Sequence, residues 1–199
     1  MRSSICLAHV LSLLLSPYTY SVLVSLIYWV EIGYIGGFFQ LLIMLIFLSS
    51  LPLFLVYAGH IRGDVDIYIS KREKRTRYYV GVLTSYTGGM MLHMLLEYPE
   101  YVPLYSAYIA VGVVLLIINL RWKISVHTAG VSGPNLVLQF ISNKPYILLT
   151  LTLVPVIWAR YKLKAHTMAQ LVAGAFISLM ITYLVTIVLR ALGLMPKVI

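Results

Sequence analysis

From Gly37 to Ala58 the chain runs without a single Asp, Glu, Lys or Arg. A helix of roughly 20 apolar residues crosses the hydrocarbon core of a bilayer, and this stretch is long enough to do so. Further apolar stretches cover about 5–30, 78–96, 103–120 and 167–192, with shorter ones at 126–141 and 146–159. In lipid every backbone polar group must be satisfied internally, which leaves helices or a closed barrel. These stretches are continuous rather than alternating, so the barrel is excluded. Only 11% of the 199 residues are charged, whereas a soluble domain carries about a quarter. The expected architecture is all-α: a polytopic transmembrane helix bundle with six or seven spans, forming one integral membrane domain over 1–199.

Pro17 interrupts the first stretch, and a kink or a break between an interfacial helix and a span is expected there. Arg2 followed by Ile5 to Leu15 has the outline of a signal peptide. No small-residue cleavage site follows, so the segment is read as retained. The single cysteine, Cys6, excludes an internal disulfide framework and any multi-cysteine metal site.

A net charge of +9 would suggest nucleic acid if the cations lay on a soluble face. They lie instead in three short patches between apolar runs. The first is His60 to Arg77, the second Arg121-Trp-Lys123, and the third Arg160-Tyr-Lys-Leu-Lys164. A helical hairpin separates each patch from the next, so all three must sit on one membrane face. By the positive-inside rule that face is cytoplasmic. Nucleic acid is therefore not an expected partner; the bilayer is.

Two histidines accompany the patches. His127 and His166 each precede or open a helix beside cations, whereas His9 and His93 read as polar packing residues. A helix N-terminus offers free N–H groups and the positive end of the dipole, a natural anion site. Arginine binds phosphate oxygens bidentately. Two histidines over one phosphate are suited to nucleophilic attack and leaving-group protonation.

With these residues the chain resembles the membrane-bound type 2 phosphatidic acid phosphatase superfamily, whose motifs are K-x6-R-P, P-S-G-H and S-R-x5-H-x3-D. Arg160, five residues, His166, three residues, Gln170 reproduces the third spacing. Ser125-Val-His127 keeps the serine and histidine of the second. Lys71-Arg72-Glu-Lys-Arg-Thr-Arg77 supplies the cations of the first at a spacing one residue short, with Tyr78 in place of proline. The resemblance covers roughly 60–190, a phosphatase-like core. It implies that His166 is the nucleophile, that His127 protonates the leaving oxygen, and that Lys71, Arg72, Arg77, Lys123, Ser125 and Arg160 hold the phosphate. It implies no metal and no cofactor. The substrate class it implies is a membrane lipid phosphate or diphosphate, either phosphatidic-acid-type or isoprenyl.

Gln170 departs from the family's aspartate. It accepts a hydrogen bond from the nucleophilic histidine but brings no charge, and in the Ser-His-Asp triad the same exchange lowers kcat about 10⁴-fold. A catalytically weak or inactive member that binds or transports lipid phosphate is the alternative reading. Asp64-Val-Asp66 is also similar to the first acidic motif of membrane prenyltransferases. Those need a second acidic cluster, and this chain has no Asp or Glu after residue 100.

Overall fold

The computed structural model describes residues 2–196; Met1 and the last three positions of the expected 1–199 domain lie outside that range. The described residues form eight α-helices: α1 Arg2–Leu14, α2 Pro17–Glu31, α3 Gly37–Ile61, α4 Arg72–Leu95, α5 Val102–Asn119, α6 Val126–Phe140, α7 Leu153–Lys162 and α8 Met168–Ala191. Among the described residues there is no strand.

Three helical segments are long and apolar enough to cross a membrane: α3, α5 with the short turn before it, and α8. The bent pair α1–α2 would make a fourth. This falls below the six or seven spans expected, for two physical reasons. The 24-residue α4 has its apolar content diluted by Tyr, Thr, Ser and Gly. At 15 and 10 residues, α6 and α7 are shorter than the roughly 20 a full crossing needs.

Local chemistry sets the breaks. Ser16 caps α2 and Pro17 takes its first turn, where a missing N–H costs nothing, so α1 and α2 meet at 49°. Pro52 lies inside α3, directly after a π-helical turn at Leu45–Ser50. A proline there leaves carbonyls one turn back without N–H donors. Neighbouring helices provide the donors: Ser21 Oγ donates to Leu48 O at 3.1 Å, and Ser85 Oγ to Phe47 O at 2.6 Å.

From α2 onward the helical segments alternate in direction. Gly36 lies against Tyr98 and Gly59 against Tyr78, which makes α3 and α4 antiparallel. The pairs Tyr86–Tyr108 and Arg72–Asn119 do the same for α4 and α5. By contrast α6 and α8 run parallel. Their contact uses small residues: a Cβ on Gly133 would come within 2.4 Å of Ser178 Oγ, and one on Gly174 within 2.5 Å of Ser125 O. Close backbone approach of this kind holds helices together where lipid offers no hydrophobic drive. Ser132 Oγ donates to Ala175 O and Ser178 Oγ to Ala129 O across the same seam.

The surface is inverted relative to a soluble protein. Phe54, Ile117 and Phe176 are more than 60% exposed, while Ser25, Ser132, Asn135, Ser178 and Thr182 are fully buried. Together with the long apolar helices, this is the pattern of an integral membrane protein.

Candidate anion site at the basic end of the bundle

All three basic patches reach the same end of the bundle. Arg75 opens the first turn of α4, Lys123 and His127 flank the start of α6, and Arg160 ends α7. His166 sits two residues before α8. The opposite end holds Glu31, Glu97 and Glu100; Lys144 pairs there with Glu31.

Arg75 and Arg160 are buried, 5% and 1% exposed. Arg75 donates through Nε to Ile69 O at 2.8 Å and through Nη1 to Ile124 O at 3.1 Å. Arg160 Nη1 donates to Ser12 Oγ at 2.7 Å, and its guanidinium lies 4.6 Å from the centre of the Tyr68 ring. Its Nε is buried with no hydrogen-bond partner among the described residues. Lys123 Nζ donates to Ala165 O at 2.8 Å. None of these three cations takes part in a salt bridge among the described residues. Asp66 is an acidic residue whose charge acts on all three. Its carboxylate is already engaged with the backbone N–H groups of Tyr68 and Ser70 and the Ser70 hydroxyl.

The two histidines have defined tautomers. Thr167 N–H donates to Gln170 Oε1 at 3.2 Å as half of a capping box that starts α8. A backbone N–H is always a donor, so this contact fixes the amide oxygen of Gln170 toward it. The same oxygen lies 3.1 Å from His166 Nδ1, which must therefore carry the proton. His166 Nε2 is left with its lone pair, and the ring lines a cavity shared with His127 and Arg75. His127 Nε2 lies 3.2 Å from Ser12 O. A carbonyl only accepts, so His127 Nε2 carries the proton and donates it.

Burial, then the fields of Arg75, Arg160 and Lys123, press the His166 pKa down to about 3. Burial also lowers Lys123, and the neighbouring Arg75 and Arg160 add to it. At neutral pH His166 is uncharged and its Nε2 is available as a nucleophile.

The residues expected from sequence divide into two groups. Arg160, His166, Gln170, Lys123 and His127 come together. Arg72 instead donates to the Asn119 and Leu120 carbonyls that end α5 and pairs with Glu73. Arg77 pairs with Asp64 at 3.3 Å and leans over Tyr78, while Lys71 is exposed at the start of α4. Ser125 is fully buried, and its hydroxyl accepts from Thr128 N as the cap of α6. The cation that the first patch does deliver is Arg75. The helical phase could have found it: 75, 79, 82 and 86 share the face of α4 that lines the cavity. Ser12 and Tyr68 also belong to the cluster, and no local pattern marks them.

His9 packs on Tyr68, and His93 is buried with Nδ1 on Gly89 O at 2.9 Å, both in structural settings. Among the described residues, no group of three His, Cys, Asp or Glu side chains is placed to hold a metal ion. No protein-family model, no characterised protein and no solved structure matches the chain.

Proposed function

We propose that the chain is a membrane lipid phosphatase or diphosphatase acting through a phosphohistidine. One observation carries this reading: three cations, two of them almost completely buried, surround two histidines without an ion-paired carboxylate. A buried charge is tolerated only when paired and hydrogen-bonded. Carbonyl dipoles supply part of that here, and a bound phosphate would supply the rest, reaching the unused Nε of Arg160.

The proposed step is balanced as follows. The lone pair of His166 Nε2 attacks phosphorus, a P–N bond forms and the P–O bond to the lipid breaks. The departing oxygen takes the proton of His127 Nε2, the one now donated to the Ser12 carbonyl. The Gln170 amide oxygen stabilises the positive charge developing at Nδ1. Water then attacks phosphorus and gives its proton to His127, and the P–N bond breaks to release inorganic phosphate.

The substrate presents its phosphate at the interface, and both isoprenyl diphosphates and phosphatidic-acid-type lipids fit. Seven crossings follow if every alternating segment from α2 to α8 spans, with the short turn at Tyr146–Thr152 extending α7. The basic end then faces the cytoplasm by the positive-inside rule.

Gln170 favours the second reading, a protein that binds lipid phosphate without turnover. The test is phosphate release by the purified chain in detergent with chelator present, for wild type, His166→Ala and His127→Ala. Release lost in His166→Ala, with ³²P trapped on wild type by an alkaline denaturing quench and lost on acid treatment, as a P–N bond requires, supports the enzyme. Lipid phosphate bound but never hydrolysed supports the carrier.

A further inference from the structure

The cavity that His166, His127 and Arg75 line does not stop at the cations. It continues between α4, α5 and α6 along an apolar wall as far as Tyr86 and Tyr108, whose rings meet edge to face at 5.3 Å. It has room for about ten water molecules, or roughly 300 Å³ of liquid. From Arg75 to Tyr86 the cavity follows eleven residues of α4, about 16 Å at the helical rise. Beyond Tyr108 lies a second cavity of about 30 Å³, which shares Tyr108, Val111, Ala129 and Gly130 with the first. These four residues separate the two, and Tyr108 has the largest side chain among them.

Resting on the phosphate site proposed above, we infer that this cavity receives the apolar chain of the substrate inside the protein, and that Tyr86 and Tyr108 end it. A chain spanning about 16 Å at roughly 1.3 Å per bond has about a dozen carbons. The volume agrees with that length. The substrate class is therefore a short-chain lipid phosphate, an isoprenyl or alkyl chain of about 10–15 carbons, rather than a polyprenyl or diacyl lipid whose tails stay in the bilayer. Three features support this occupant. The cavity reaches Arg75 of the cationic cluster, both histidines line it beside that residue, and large rings, Tyr86 and Tyr108, line its far end. Gly112 on α5 lets the Leu83 side chain pack close, since a Cβ there would come within 2.8 Å of Leu83 Cδ2, and both residues line the wall, so a larger side chain at 112 would push into the cavity.

The test uses the full chain in detergent with geranyl, farnesyl, geranylgeranyl and undecaprenyl diphosphates and with decyl and hexadecyl phosphates. The expected kcat/KM peaks at 10–15 carbons and drops at least about tenfold for the longer chains, the size of discrimination that a filled apolar pocket gives. Tyr108→Ala, which joins the two cavities, raises the 20-carbon to 10-carbon ratio about tenfold. Gly112→Leu lowers the 15-carbon to 10-carbon ratio by a similar factor. Comparing isoprenyl with alkyl substrates of equal length identifies the chain type.

Photolabelling gives a readout that does not need turnover. A dodecyl phosphate with a terminal diazirine should label Tyr86, Tyr108 or Val111, and orthovanadate should compete. Labelling of the outward Ile117 or Phe176, or a kcat/KM that stays level or rises to undecaprenyl, overturns the internal chain site and leaves the phosphate site intact. Inward labelling without hydrolysis of any substrate supports the chain site while the phosphatase reading fails.

Discussion

Replacing Gln170 with glutamate changes one amide nitrogen to oxygen at the residue that holds His166. The side chain keeps its length, and glutamate is itself a capping-box residue, so the bond to Thr167 N–H should persist. The neutral acceptor 3.1 Å from His166 Nδ1 becomes a carboxylate. A hydrogen bond to a charged group contributes roughly 1.5–3 kcal/mol against about 1 for a neutral one. The gain of about 0.5–2 kcal/mol corresponds to a rise of about one pH unit in the His166 pKa, from about 3. The through-space attraction at an effective dielectric of 20 sets a ceiling of about 4 kcal/mol, or about three units. A carboxylate in the first turn of α8 should add about 0.3–1 kcal/mol of stability through the helix dipole. The assay is a histidine ¹³C/¹⁵N NMR titration in micelles, paired with phosphate release from farnesyl diphosphate. The expected result is an upward-shifted midpoint with Nδ1 still protonated, and a release rate raised at least about tenfold. An unchanged or lowered midpoint would refute the assignment of Gln170 as the partner of Nδ1. A shifted midpoint with no change in rate would separate this hydrogen bond from catalysis.

Gly174→Ala should cost about 1–3 kcal/mol by overpacking, because its Cβ would press on Ser125 O and Thr128 Oγ1; a lowered thermal midpoint checks this. Ser12→Ala removes the acceptor of a buried guanidinium N–H and should destabilise by about 1–3 kcal/mol. Added orthovanadate should restore more of the midpoint in this variant than in wild type. The depressed pKa of His166 means that the folded state favours its neutral form. Stability should therefore fall as pH drops from about 6.5 toward 3, by about 1.4 kcal/mol per pH unit, and His166→Gln should flatten that slope in thermal melts. Asp66→Ala removes three hydrogen bonds that shape the loop before α4; faster hydrogen exchange at the Tyr68 and Ser70 amides is expected.

Hydropathy was enough to place α3, α5 and α8, and Pro17 marked the bend between α1 and α2, because both signals are local. The π-helical turn before Pro52 was not legible, since its stability comes from Ser21 and Ser85 on other helices. At the anion site, Arg160, His166 and Gln170 fall within eleven residues, so linear spacing captured them. Motif spacing within the first patch pointed to Arg77, but helical phase turns that residue outward to Asp64 and turns Arg75 inward. Ser125 is a serine directly before a helix, a cap signal that competes with any ligand role. Ser12 lies 148 positions from Arg160, and only tertiary packing brings the two together.

The wide separation of the clustered groups bears on how the protein is made. Arg75, Lys123 and Arg160 come from three successive parts of the chain; Arg75 takes the carbonyls of Ile69 and Ile124, Lys123 that of Ala165, and Arg160 the hydroxyl of Ser12. While α7 and α8 are still emerging from the ribosome, Arg75 lacks the neighbours that complete its pocket. The cluster of Arg75, Lys123, Arg160 and the two histidines is therefore complete only once α7 and the segment before α8 are in place. A bound phosphate ester would act as a late clamp on biogenesis, favouring fully assembled molecules over chains stalled after α6.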